Sequence, residues 1–379
     1  MARTFNGQLN TGIVYNSLYN AIIAIYQIKQ HFTDSYSLVD RFRKEGSEYG
    51  DQLVYLTLDS IPVHDWTNDG EAANLLSLDR NKKQHEEKIT LNIFKQIRLT
   101  TDAYMQTKQL WTSENGFSRF ASLLLQTMEN AKKVYEIKTF DVFAGTTVST
   151  DPSGEQNTTW DLSEDGPDAT NDPEGAARWY GMKLAERLSN LMYDLRDVRR
   201  GWNDIQYEAS YNIDEFQLLL PASVANKFKY NSLPTIFDNG PLKALLEDAY
   251  ILPDIYFGDP VTVTGTEIKA DGQTHRFLHS QFLGSTFYNA GDLIPKDTVI
   301  ASTTEIVVPA YKHTTVAGTS RSDFILKLIH KEDCPYMSAY NVRSQFYNAR
   351  SHTTNNYLTF AHNTLEHIGI FPLITVKEA

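Results

Sequence analysis

Apolar side chains recur at helical spacing in three long stretches of the chain and at every second position in several short ones. Residues 13–30 contain neither Gly nor Pro, and place Tyr15, Leu18, Tyr19, Ile22, Ile25 and Tyr26 on one face, which predicts a helix. Residues 114–137 keep the same period through Phe117, Phe120, Ala121, Leu124, Leu125, Met128, Ala131 and Tyr135, with Ser113 able to cap the start. At about 1.5 Å per residue this helix would be roughly 36 Å long. A third helix is predicted over 176–200 from Trp179, Met182, Leu184, Leu188, Leu191, Met192, Leu195 and Val198, and a short one over Ala222–Lys229.

Period-two and continuous apolar runs predict the strands. Leu53–Leu58 and Lys88–Leu99 flank a charged tip at 64–88 that carries Asp65, Asp69, Glu71, Asp79, Arg80, Lys82, Lys83, Glu86 and Glu87. A connection of that length is unusual in a compact domain, and an isolated hairpin is marginal in water. An extended two-stranded arm that lies on a neighbouring subunit is therefore expected. Glu215–Leu220, stopped by Pro221, and Phe324–Ile329 read as buried strands. Tyr357–His362 and Ile368–Val376 read as two closing strands. Residues 258–322 are rich in turns, with short strands at Val261–Thr264, Thr298–Ala301 and Glu305–Val308. Residues 149–175 hold eight carboxylates, from Asp151 to Glu174, and no Lys or Arg occurs between Thr139 and Ala177, which predicts a flexible acidic linker.

Composition narrows the function classes. Of 379 residues 41% are hydrophobic and 12% aromatic, enough for a substantial core, so disorder of the whole chain is excluded. A net charge of −12, with no basic run longer than pairs such as Lys82-Lys83 and Arg199-Arg200, disfavours a protein that grips phosphates by counterion release. The single cysteine, Cys334, makes no internal disulfide and is expected to be a small core residue folded in a reducing compartment. No membrane segment is expected: the most apolar early stretch, Ala21–Tyr26, is too short to span a bilayer, and the start lacks a signal-peptide core.

The search for chemistry returns little. There is no GxGxxG, no GxxxxGK[ST] loop and no GxSxG elbow. His85-Glu86-Glu87-Lys88 begins like a zinc-protease helix, but Ile89 stands where the second His belongs. His275 and His279 would share a face only in a helix, which the surrounding glycines oppose. His362 and His367 could face each other across the closing strands. Catalytic, cofactor-binding and metal-binding residues are therefore all expected to be none.

The order of elements carries a resemblance. The residues that carry it are Leu38-Val39-Asp40-Arg41, then Gln109-Leu110-Trp111-Thr112 through Met128-Glu129-Asn130. Further on come Glu215 to Pro221 followed by Asn226-Lys227-Phe228, and the tail from Phe346-Tyr347-Asn348 to Val376. With them the chain resembles the major capsid proteins of tailed bacteriophages, the Hong Kong 97-type fold, most closely those of short-tailed phages related to phi-29. The resemblance implies an α+β fold with an N-terminal arm (1–46), an extended loop (47–100) and a peripheral domain (101–148 and 346–379) built on the spine helix 114–137. An acidic linker (149–175) and an axial domain (176–345), with a β-rich insertion at 258–322, would follow. It further implies self-assembly as hexamers and pentamers into an icosahedral virion shell in the host bacterial cytoplasm. That shell would form with a separate scaffolding protein and a portal, enclosing double-stranded DNA without sequence-specific binding. An encapsulin-like compartment and an α+β hydrolase using paired carboxylates are the alternatives. Against that resemblance, the segment 258–322 is expected to be longer than its family counterpart, and an added immunoglobulin-like domain at the C-terminus is not expected.

Overall fold

The computed structural model describes residues 37–44, 52–61, 63, 84–102, 114–168, 170–231, 240–262, 268–269, 275–300, 305–309, 324–351 and 353–378. The expected helix at 13–30 and most of the charged tip at 64–88 lie outside the described residues. The chain divides into two compact units. One is residues 1–37, 96–134 and 342–359; the other is residues 38–95, 135–341 and 360–379.

The strands in chain order are β1 (Arg43–Lys44), β2 (Gln52–Leu58), β3 (Gln84–Asp102), β4 (Asn157–Trp160), β5 (Phe216–Pro221), β6 (Tyr250–Leu252), β7 (Gly258–Thr262), β8 (Ile268–Lys269), β9 (Arg276–Phe277), β10 (Gln281–Leu283), β11 (Thr286–Tyr288), β12 (Val299–Ile300), β13 (Glu305–Pro309), β14 (Phe324–His330), β15 (Tyr336–Asn348), β16 (Thr353–Asn363) and β17 (Leu373–Glu378). Five form a sheet in the order β1-β15-β16-β3-β2. Five more form a second sheet in the order β4-β17-β14-β5-β6.

The second sheet lies wholly in the larger unit and organises its core. β14 runs antiparallel to both β17 and β5, while β4 and β6 extend the edges in parallel. Every residue of β5 and β14 is buried. A strand covered on both faces has no polar side to show, so it reads as an unbroken apolar run. Phe216, Leu218 and Leu220 pack with Leu326, Leu328, Ile374 and Val376 against the helix Pro173–Arg196, through Leu184, Leu188, Leu191 and Leu195. Leu219, Ile329 and Leu373 join the other cluster, with Leu38, Val39, Phe42, Phe140, Ala144, Phe257 and Tyr336.

The helix Pro173–Arg196 starts three residues before its expected position. Asp172 caps it by accepting the Gly175 N–H at 2.9 Å, and Pro173 occupies the first turn. It ends four residues early, so Val198 is exposed; Tyr180 is buried, while Met182 is partly exposed. The long helix runs Glu114–Thr146, nine residues past the expected end. Its extension buries Phe140, Val142 and Ala144. Gly145 continues it because the Tyr256 carbonyl fills the place a Cβ would take.

The acidic stretch is not featureless. Asp151, with φ of 43°, accepts the N–H groups of Glu155, Gln156 and Asn157. β4 then pairs with β17, and Leu162 and Gln156 are fully buried. Within the larger unit β2 pairs antiparallel with β3, and burial alternates along both strands as their period predicts. In the smaller unit Thr100 Oγ1 donates to Asn355 Oδ1 at 2.7 Å, and Gln96 Nε2 donates to Thr359 Oγ1 at 3.3 Å.

Candidate functional site

Among the described residues a buried cluster of titratable groups surrounds His367, between β16 and β17. His367 Nδ1 lies 2.8 Å from Asp333 Oδ2, and Nε2 lies 3.6 Å from Asp204 Oδ2, an ion-pair distance just beyond a hydrogen bond. Asp333 also accepts the N–H groups of Cys334 and Ile368. Asp204 accepts from Ser149 Oγ, Thr150 N, Thr150 Oγ1 and Gln156 Nε2. Burial alone would lower the imidazole pKa, but the two carboxylates outweigh it and raise it to about 9. The imidazolium therefore stays charged at neutral pH, clamped between two segments far apart in sequence.

That geometry does not make a catalytic triad. The hydroxyls of Ser149 and Thr150 point to Asp204 rather than to the imidazole, so among the described residues neither hydroxyl is an activated nucleophile facing it. Cys334 shares the space, since ligand atoms of Asp333, Cys334 and His367 lie within 4.8 Å of one another. Its thiol is fully buried, and burial with the neighbouring Asp333 pushes its pKa well up, which suppresses the thiolate that a nucleophile or metal ligand needs. The Asp333 carboxylate is already committed to two N–H groups and the imidazole. The cluster is built as a clamp.

The histidines singled out in the sequence are dispersed. His362 Nε2 meets Tyr135 OH at 3.0 Å and its Nδ1 meets the Asn363 carbonyl, so it does not face His367. His275 is buried, whereas His279 is exposed and pairs with Glu305 at 2.7 Å. His85 sits on β3, not on a helix, and pairs with Glu87 at 2.7 Å.

What the surface offers is apolar edge. The outer face of β2 exposes Val54, Leu56 and Leu58, and the chain beyond it exposes Ile61 and Val63; Leu56 is 66% and Val63 98% exposed. β2 is also the last strand of its sheet. In the smaller unit, residues 342–347 of β15 are exposed on both faces, among them Val342, Phe346 and Tyr347. A groove of ≈ 330 Å³ lies beside them, lined by Met128, Arg343, Ser344, Gln345, Asn356, Tyr357 and Leu358. Single exposed apolar residues are ordinary; a run of them along a free strand edge marks a contact surface.

No family model and no curated protein matches the sequence. Solved structures do match. Over 91% of this chain and 86% of the other, the fold is similar to a chain of the capsid structure of Staphylococcus phage Andhra, with TM-score 0.53 and 12% identity. Over 92% of this chain and 87% of the other, it is similar to a chain in the structure of the head fiber and inner core protein gp22 of native bacteriophage P68, again with TM-score 0.53 and 12% identity. The chain has the Hong Kong 97-type capsid fold.

Proposed function

We propose that the chain is the major capsid protein of a tailed bacteriophage, a structural rather than enzymatic protein that assembles into the icosahedral shell of the virion. The observation that carries this reading is the apolar outer face of β2 with Ile61 and Val63, on an extended hairpin. A monomer gains nothing from leaving such an edge in water, whereas a second subunit laid over it converts the liability into pairing. The shared fold, spanning nearly the whole chain, supports the same reading. The acidic balance suits a container that must not adhere to the DNA inside it.

On this reading residues 47–100 form the extended loop, 101–148 with 346–379 the peripheral domain, and 176–345 the axial domain with its insertion at 258–322. Axial domains would close rings of five and six, and many moderate interfaces together would resist internal pressure. Kinship with short-tailed phages, a separate scaffolding protein, a portal and assembly in the host cytoplasm belong to the same proposal. The hydrolase alternative needs converging carboxylates in a pocket, and the groove beside β15 has none among its lining residues. Among the described residues no helix is long and apolar enough to cross a membrane.

Negative-stain electron microscopy of the protein expressed in bacteria, with and without a neighbouring scaffold-like gene, tests the proposal. Round shells, tubes or hexagonal sheets are expected. A small monodisperse particle under both conditions would overturn it.

A further inference from the structure

One stripe of the spine helix serves as a seat. Lys138, Asp141, Val142 and Gly145 are spaced three and four apart and so share a face. Each is met from the segments that follow β6. A Cβ on Gly145 would collide with the Tyr256 carbonyl. Gly291, with φ of +81°, packs so closely that a Cβ there would stand 2.9 Å from Val142 Cγ2 and 3.0 Å from the Lys138 carbonyl. Lys138 Nζ closes an ion pair with Asp292 Oδ1 at 2.5 Å.

Asp141 occupies the middle of this seat, and its environment is unfinished. Its carboxyl is buried, and Oδ1 has no hydrogen-bond partner. Arg276 of β9 is the cation opposite, yet it is engaged elsewhere. Its guanidinium stacks on the Tyr256 ring at 4.5 Å, and Nη1 donates to the Gly291 carbonyl and approaches Tyr256 OH at 3.5 Å. Its Nε is buried without a partner. A buried acid and a partly buried arginine thus lie within electrostatic reach of one another, each with one buried polar atom unused, an arrangement that costs free energy whenever the acid is charged.

We propose that Asp141 and Arg276 form a pH-operated latch that sets how tightly the β-rich segment 276–292 seats on the spine helix. When the carboxyl is neutral no buried carboxylate is left short of a hydrogen-bond donor at Oδ1, and the segment stays closed. When it ionises, the carboxylate either remains unbonded or draws Arg276 away from Gly291 and Tyr256. Burial pushes the Asp141 carboxyl up to about 7, and only Arg276 pulls it back. The other charged or titratable groups at the seat are Lys138 and Asp292, which neutralise each other, and Tyr250 and Tyr256, which stay neutral in this range because burial raises both. Buried His275 adjoins Arg276 in the chain. The folded-state pKa lies above the ordinary aspartate value, so the folded seat binds the proton more tightly. Seating is strongest at acid pH and weakens as pH rises through 7.

Amide hydrogen exchange on the full chain, corrected for intrinsic rates and run from about pH 5.5 to about pH 8.5, reads the latch. Protection over 276–292 in the wild type should fall at least about tenfold with a midpoint near pH 7, while Asp141→Asn should stay protected with no midpoint. A midpoint that persists in Asp141→Asn would overturn the proposal; so would a flat wild-type profile. Should Asp141→Asn fail to fold, carbon-13 titration of the Asp141 carboxyl in the wild type decides. A midpoint near 7 supports the latch, and one in the ordinary carboxylate range overturns it.

Discussion

The ammonium of Lys327 lies 2.6 Å from the carbonyl oxygen of Gly145, at the end of the spine helix. The same Nζ donates to the Thr147 carbonyl at 2.7 Å and to Ala144 at 3.3 Å. Lys327 is fully buried in β14, on the sheet face opposite Leu326 and Leu328. The last turn of the helix has no basic residue of its own, and its terminal carbonyls carry the negative end of the helix dipole. A strand residue therefore supplies the cap across the core, which explains why a lysine interrupts the apolar run Phe324–Ile329.

Removing that cap strands several buried acceptors at once. Lys327→Met keeps most of the volume and should lower unfolding free energy by roughly 2–4 kcal/mol, the cost of leaving buried polar groups unpaired. Chemical denaturation of the purified chain measures it, and a loss well under about 1 kcal/mol would mean that the ammonium contributes little there.

The His367 clamp gives a pH signature of the same sign as that of Asp141, but at higher pH. Its folded-state pKa of about 9 lies above the free value, so its stabilisation is complete below about pH 6.5 and is lost as pH rises through about 9. The shift corresponds to about 3 kcal/mol. His367→Gln should be less stable than wild type at pH 7, and the difference should shrink by about pH 10 as the wild-type imidazole loses its proton. Equal differences at both pH values would show that His367 acts through packing alone.

Two glycines separate close approach from backbone strain. Gly145→Ala drives a methyl into the Tyr256 carbonyl and should cost about 1–3 kcal/mol through forced backbone movement. Gly154, with φ of +78° and no atom near its would-be Cβ, should lose only about 1 kcal/mol as Ala, from the left-handed conformation alone. Thermal unfolding of both variants ranks them, and a reversed order would refute the tight seating at Gly145.

The parts of this fold that sequence patterning exposed are those where burial and period agree. β5 and β14 are covered on both faces and read as apolar runs; β2 and β3 alternate and read as a hairpin. β15 was not legible, because residues 342–347 are exposed on both faces and show neither pattern. The spine helix continues past 137 through Thr139, Asp141, Gly145 and Thr146, whose polarity or small size conceals a buried stripe that only its partners explain. The clamp was equally hidden, since Asp204, Asp333 and His367 are distant in sequence and meet only where the turns after the helix Pro173–Arg196, after β14 and after β16 come together. The acidic stretch misled because its carboxylates serve locally: Asp151 organises a turn and Asp172 caps a helix.

The outer face of β2 yields the prediction closest to function. Leu56 is two-thirds exposed and packs little within its own subunit, so Leu56→Glu should change subunit stability by no more than about 0.5 kcal/mol. If a second subunit covers this face, the same substitution buries a carboxylate against apolar surface and should abolish or delay assembly, because one defect is repeated at every copy of the contact. Denaturation of the subunit and electron microscopy of the assembly reaction measure the two effects separately. Loss of shells from a stably folded variant would place β2 in the intersubunit contact. Normal shells at normal yield would remove β2 from it and leave the exposed edge of β15 as the surface to test next.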